Sequence, residues 1–175
     1  MKPKGRDEMN ELEVRLAKEA DAPFCAKIHI DSWNFAYVES IPREILEKQN
    51  AKRYSLWEML LKNNTDSHYV ITYKGTIIGF MTINPPREDD LPPGTYEITG
   101  LYLAPEFVGK GCGKYAMDRA KDMIRRRGCT CISLWVLDKN ERAKKFYEKN
   151  GFKADGMIKA SGLGESAEER FIFKY

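Results

Sequence analysis

Val108-Gly109-Lys110-Gly111-Cys112-Gly113 stands between a strand-like run, Glu97 to Leu103, and an amphipathic helical run, Lys114 to Arg127. Three glycines in five residues leave the backbone bare, so amide N–H groups can approach a ligand closely. The same stretch opens a helix, whose first amides lack intrahelical partners and whose dipole favours negative charge. A strand, a bare loop and a helix start, in that order, form a grip for a phosphate or diphosphate.

Downstream, Cys131 to Leu137 is apolar on both faces, as a strand covered by helices would be, and the strand-helix-strand order makes it parallel to the strand before the glycines. Asn140 can cap a short helix through Lys149, Asn150-Gly151 ends it, and Phe152 to Ala160 with Arg170 to Tyr175 reads as a final antiparallel pair. Upstream, His68 to Tyr73 and Thr76 to Ile83 flank Lys74-Gly75, a hairpin signal. Pro85 to Gly94, with the acidic run Glu88-Asp89-Asp90, is a loop before the strand Thr95 to Leu103. Leu12, Val14 and Leu16 alternate as a first strand. Asp21 can cap a helix through about Ser32, and Pro42 sits in the first turn of a second helix that continues, broken or not, to Lys62. The expected fold is α/β (α+β): a mixed, mostly antiparallel sheet of six or seven strands with one central parallel pair, flanked by about four helices. Residues 1–11 are expected to be a flexible N-terminus and 12–175 a single domain.

The 175 residues suffice for one core, burying roughly 70% of the surface an unfolded chain exposes. With 29 basic and 26 acidic residues, the charge is too balanced to argue for nucleic acid. No apolar segment has the length of a signal core or a membrane span, so a cytoplasmic location without membrane attachment is expected. Cys25, Cys112, Cys129 and Cys131 lack metal-ligand spacing and read as reduced, mostly buried thiols; no metal is expected.

Gly111-Cys112-Gly113-Lys114-Tyr115-Ala116 also fits G-x-G-x-x-A, with Asp138 where a ribose-binding acid would sit. A nicotinamide-dependent oxidoreductase is therefore a rival reading, although hairpins precede the motif and fewer than 40 residues follow Asp138, too few for a run of parallel strands. A P-loop fails at Tyr115, which offers no hydroxyl where a magnesium ligand is required.

Leu101-Tyr102-Leu103-Ala104-Pro105, the glycine loop, and then Asn140, Ala143 and Phe146-Tyr147-Glu148-Lys149-Asn150-Gly151-Phe152 together resemble the GNAT superfamily of acetyl-CoA-dependent N-acetyltransferases. The resemblance implies transfer of an acetyl group from acetyl-CoA to a primary amine by direct attack, with a small molecule as the acceptor. A homodimer stays open as an assembly, and a non-catalytic acyl-CoA-binding module as an alternative function. By the same resemblance, Glu97 is the candidate base and Tyr147 the group that gives a proton to departing CoA. The cofactor would lie along Leu101, Tyr102 and Leu103, on the loop Val108, Gly109, Lys110, Gly111, Cys112, Gly113 and Lys114, and against Asn140, Ala143 and Phe146. Val108 stands where the family usually has Arg or Gln, so that side-chain contact to the diphosphate is missing. Trp33 and Tyr37 are expected to wall the amine pocket, with core packing the other reading.

A base is useful because a lysine-like amine of pKa about 10.4 is neutral in only about one molecule in a thousand near pH 7.4. Glu97 shares a nominal strand face with Leu101 and Leu103, and Gly100 is the expected bulge. Other readings stay open for several residues: Glu97 as a solvent-facing or lysine-paired carboxylate, Asn140 as a plain cap, and Tyr147 with Ala143 and Phe146 as one apolar helix face. Cys112 at a helix start admits an acyl-enzyme, a minor alternative. His29 and His68 read as structural. Glu39, Glu88, Asp89 and Asp90 can attract a cationic amine or simply be solvated.

Overall fold

The computed structural model describes residues 10–63 and 67–175; of the expected flexible start, residues 1–9 lie outside the described residues. Seven strands form one sheet: β1 (Leu12–Leu16), β2 (His68–Tyr73), β3 (Thr76–Asn84), β4 (Thr95–Leu103), β5 (Cys131–Leu137), β6 (Lys153–Ala160) and β7 (Ala167–Lys174). Their order is β1-β2-β3-β4-β5-β7-β6, antiparallel throughout except for the β4–β5 pair. A single parallel pair is incompatible with the run of parallel strands that a dinucleotide site at Asp138 needs.

The helices are α1 (Ala22–Tyr37), α2 (Arg43–Asn50), α3 (Arg53–Lys62), α4 (Cys112–Arg126) and α5 (Glu141–Lys149). On one face of the sheet, Met81, Ile83, Ile98, Ile132 and Leu134 pack against Met117, Ala120 and Ile124 of α4. On the other, Val70 and Phe80 meet Cys25, Ala26 and Ile28 of α1 and Trp57 and Leu61 of α3. Each such fully buried large side chain contributes about 1.5–3 kcal/mol.

Three local expectations change. Helix α1 does not end near Ser32 but runs to Tyr37, because no glycine or proline interrupts it before Pro42. Trp33 and Tyr37 thus lie one turn apart on one helix face, with ring centroids 5.3 Å apart. Asp21 does not cap the helix; its carboxylate is bound by the Arg15 guanidinium (2.7 and 3.0 Å) and by the Lys18 amide (2.8 Å).

The third change sets the site. Thr82 faces Gly100 and Ile83 faces Ile98, so Thr99 has no partner on β3 and the bulge falls one residue before Gly100. An extra residue reverses the alternation of side chains beyond it. Ile98, Leu101 and Leu103 therefore face α4, whereas Glu97 lies with Tyr102 on the α1–α3 face, where Tyr102 packs on Phe80 and His29. The expected shared face of Glu97 with Leu101 and Leu103 is corrected by that one bulge.

Candidate active site

β4 and β5 pair only at Thr95–Cys131, Tyr96–Ile132 and Glu97–Ser133. Beyond Glu97 the two strands part, and the β5-facing backbone of β4 from Ile98 to Leu103 has no strand beside it. A cavity of about 770 Å³ fills this opening, within the size range of small-molecule sites. Its walls include Ile98 to Leu103 from β4, Trp135 to Leu137 from β5, the glycine loop, α5, and Trp33 and Tyr37 from α1.

Most of the expected site residues meet there: Glu97, Leu101, Tyr102, Leu103, Val108, Gly109, Gly111, Gly113, Lys114, Asn140, Ala143, Phe146, Tyr147, Trp33 and Tyr37 line one cavity. Lys110 and Cys112 do not. The Lys110 ammonium bonds the Glu106 carbonyl, and Cys112 turns inward, fully buried against the core. Burial raises the Cys112 thiol pKa, which removes the reason to expect an acyl-enzyme there.

The glycines act in two ways. Gly109 and Gly111 take φ of 76° and 85°, a region side chains disfavour, and this turns the loop so that Gly111 precedes the first residue of α4. Gly113 is helical; a Cβ there would lie 3.3 Å from the Phe146 ring. Bare backbone at Gly109, open space at its missing Cβ and the open β4 edge fit the diphosphate and pantetheine arm of acetyl-CoA.

Glu97 is wholly buried and held by Arg87, whose Nη2 and Nε donate to its carboxylate at 2.6 and 3.3 Å. Tyr147 lines the cavity from α5, its ring 5.2 Å from that of Phe146. Burial raises its pKa, followed by the influence of Tyr102, so its hydroxyl stays protonated. Asn140 does cap α5, accepting from the Ala143 amide (3.1 Å), while its Nδ2 donates to the Tyr37 hydroxyl (3.1 Å). Its side chain is therefore engaged on both atoms.

Two carboxylates of the acidic run fasten the loop to the sheet. Glu88 pairs with Lys159 (2.9 Å) and Asp90 with the buried Arg170 (2.7 Å), tying the loop to β6 and β7. Glu39 is exposed and does not line the cavity. His29 accepts from Trp57 Nε1 (3.2 Å), and burial, then the Arg53 charge, push its pKa down to about 3. His68 bonds Thr82 (3.1 Å), so both histidines have structural partners.

Among the charged residues of the wall that sequence reading did not place there are Glu168 and Arg53. Glu168 lines the cavity beside β5, and burial raises its pKa, with the charges of Glu97 and Glu88 adding to the rise and those of Lys159 and Arg87 opposing it. Lys159 and Arg87 are committed to Glu88 and Glu97, so among the described residues Glu168 has no ion-pair partner. No motif surrounds it, and it fell outside the expected last strand. Arg53 did carry a signal: with Trp57 and Leu61 it falls at i, i+4 and i+8, a charge on the buried stripe of α3.

Fold and site together have the form of an acyl-CoA transferase. The model of the acetyltransferase (GNAT) family matches residues 25–152, and the chain belongs to that family. YuaI, an uncharacterized N-acetyltransferase of Bacillus subtilis (strain 168), is 29% identical over 130 residues, 73% of this chain and 72% of its own. The spermidine N(1)-acetyltransferase of Thermoplasma acidophilum is 25% identical over 150 residues, 82% of this chain and 89% of its own. The crystal structure of PaiA N-acetyltransferase from Thermoplasma acidophilum in complex with coenzyme A has the same fold, with a TM-score of 0.76 over 94% of this chain and 99% of that one at 23% identity. Ard1 from Thermoplasma volcanium gives 0.69 over 94% and 97%, at 18% identity. Among the described residues no three His, Cys, Asp or Glu side chains converge as a metal site, and no helix is long and apolar enough to cross a membrane.

Proposed function

We propose that the protein transfers an acetyl group from acetyl-CoA to the primary amine of a small molecule by direct attack. The observation that carries this reading is the cavity itself: one space joins the glycine loop, the open edge of β4 and a chamber walled by Glu97, Glu168 and Tyr147. The Thermoplasma relative named for spermidine supports the small-molecule class of acceptor.

The amides of the loop Gly109 to Gly113 and the start of α4 hold the diphosphate, and the free backbone of Leu101 to Leu103 holds the pantetheine arm. Bound there, acetyl-CoA supplies the thioester. Glu168, unpaired and partly open to the chamber, receives the incoming ammonium. Glu97, held in place by Arg87, takes the proton through a water, since its carboxylate is buried. An unpaired amide near Leu103 stabilises the oxyanion, and the Tyr147 hydroxyl donates to the departing sulfur.

Thiol release from acetyl-CoA across a panel of amines tests the reading, with calorimetry against CoA and NAD as its partner. We expect CoA to bind, NAD not to bind, and at least one primary amine to release thiol. Binding of CoA with no thiol release for any amine would favour a non-catalytic acyl-CoA-binding module.

A further inference from the structure

Arg53 opens α3 and exposes only 7% of its surface, yet among the described residues no carboxylate pairs with it. Its guanidinium carbon lies 4.3 Å above the Trp33 ring, so the indole face covers one side of the charge. Arg53 Nε is buried without a hydrogen-bond acceptor, and the buried Nε1 donor of Trp33 has only the Tyr102 hydroxyl within its reach. Both residues form part of the cavity wall, beside the neutral Ser32 and Gln49.

A buried guanidinium without a counter-ion is costly, and a protein that keeps one in a cavity wall has provided for an anion from elsewhere. The arrangement is specific: a planar fork of N–H donors with a neutral indole N–H nearby matches an oxyanion, and a single positive charge is balanced by a monoanion. Glu168 supplies the opposite pole of the same chamber. Arg53, Glu168 and Tyr102 all line the one cavity.

Resting on the acetyltransferase reading, we propose that the acceptor is a primary amine that also carries a carboxylate, seated on Arg53 and Trp33 while its ammonium faces Glu168. Such a molecule satisfies the orphaned Arg53 donor and both charges at once. A polycation leaves Arg53 uncompensated and sets two like charges in the chamber.

The test compares amino acids with their own carboxamides, and with spermidine, as acceptors in thiol release from acetyl-CoA. The unmodified protein, Arg53→Met and Trp33→Phe are each assayed. In parallel, calorimetry titrates an N-acetyl amino acid and its amide into CoA-saturated protein, a readout that needs no turnover. We expect at least a tenfold preference in kcat/KM for the acid within the best pair. Arg53→Met should erase that preference, and Trp33→Phe, which keeps the ring over the guanidinium, should weaken it several-fold. A preference for amides or spermidine, or an acid preference that survives Arg53→Met, overturns the proposal while leaving the acetyltransferase reading intact. Arg53-dependent binding of the acid without any turnover upholds the anion site and sinks the enzymatic reading instead; absence of both sinks the two together.

Discussion

Arg87 Nη2 lies 2.6 Å from Glu97 Oε1, pairing a guanidinium that is more than half exposed with a carboxylate that is fully buried. The partner is drawn from a proline-rich loop ten residues earlier, and it holds in place the carboxylate of the strand residue that best fits a base. Arg87→Met removes both side-chain donors to that carboxylate, whereas Glu97→Gln removes the base itself. Glu97→Gln should lower kcat by about 10²-fold, and Arg87→Met, which only loosens the carboxylate, by a smaller factor. Steady-state rates unchanged in Glu97→Gln would assign Glu97 a purely structural role.

Glu168 answers to a different measurement. Burial and the charges of Glu97 and Glu88 raise its pKa, so it gains a proton at a higher pH than an ordinary glutamate. Protonation removes the negative charge that receives the ammonium, so KM for the amine should rise as pH falls through that raised value. Glu168→Gln should give a high KM at every pH with kcat changed by less than about threefold, the signature of lost uniform binding. Steady-state kinetics at several pH values would show whether the effect lies in KM as expected or in kcat.

Tyr147→Phe isolates one hydroxyl, since the ring contacts with Phe146 and Phe152 survive the change. The expected result is a kcat lower by roughly 10- to 100-fold, with CoA affinity within about twofold of the parent. Leaving thiols of lower pKa need less help, so an acyl donor with an aryl thiol should largely restore the rate.

The glycine loop is tested by size. At Gly113 a side chain would press on Phe146, whose ring is 3.3 Å from the would-be Cβ, without any backbone strain. Gly113→Val should raise Kd for CoA at least tenfold while thermal unfolding shifts by only a few degrees. Gly111→Ala instead meets φ of 85°, which costs about 1–2 kcal/mol, and should lower both stability and CoA affinity.

What was legible in the sequence follows from how local each signal is. Lys74 and Gly75 both take positive φ, the requirement of a two-residue hairpin, and the strands around them start where the turn chemistry says. The limits of β4 and β5 and the glycine loop were equally local. The face of Glu97 was not, because Gly100 marks a bulge only roughly, and its placement at Thr99 is a matter of register with β3. Ion pairs across long separations were also hidden: Glu88 with Lys159, Asp90 with Arg170, and Arg87 with Glu97 turn an apparently solvated acidic run into the clasp of the chamber wall. Arg53 was readable only as an exception, a charge standing where α3 keeps its apolar side chains.

The parting of β4 from β5 has a mechanical meaning. Three residue pairs, Thr95–Cys131 to Glu97–Ser133, join a half-sheet of β1 to β4 to another of β5 to β7, so the molecule carries a hinge-like joint at its centre and two raw edges facing each other. A pantetheine arm threaded along Leu101 to Leu103 would act as the missing rung between the halves, and the donor would be a structural splint as well as a reagent. Hydrogen exchange of the amides from Thr99 to Leu103 that point toward β5 should slow on adding CoA, and the whole sheet should melt later by the margin that ligand linkage prescribes.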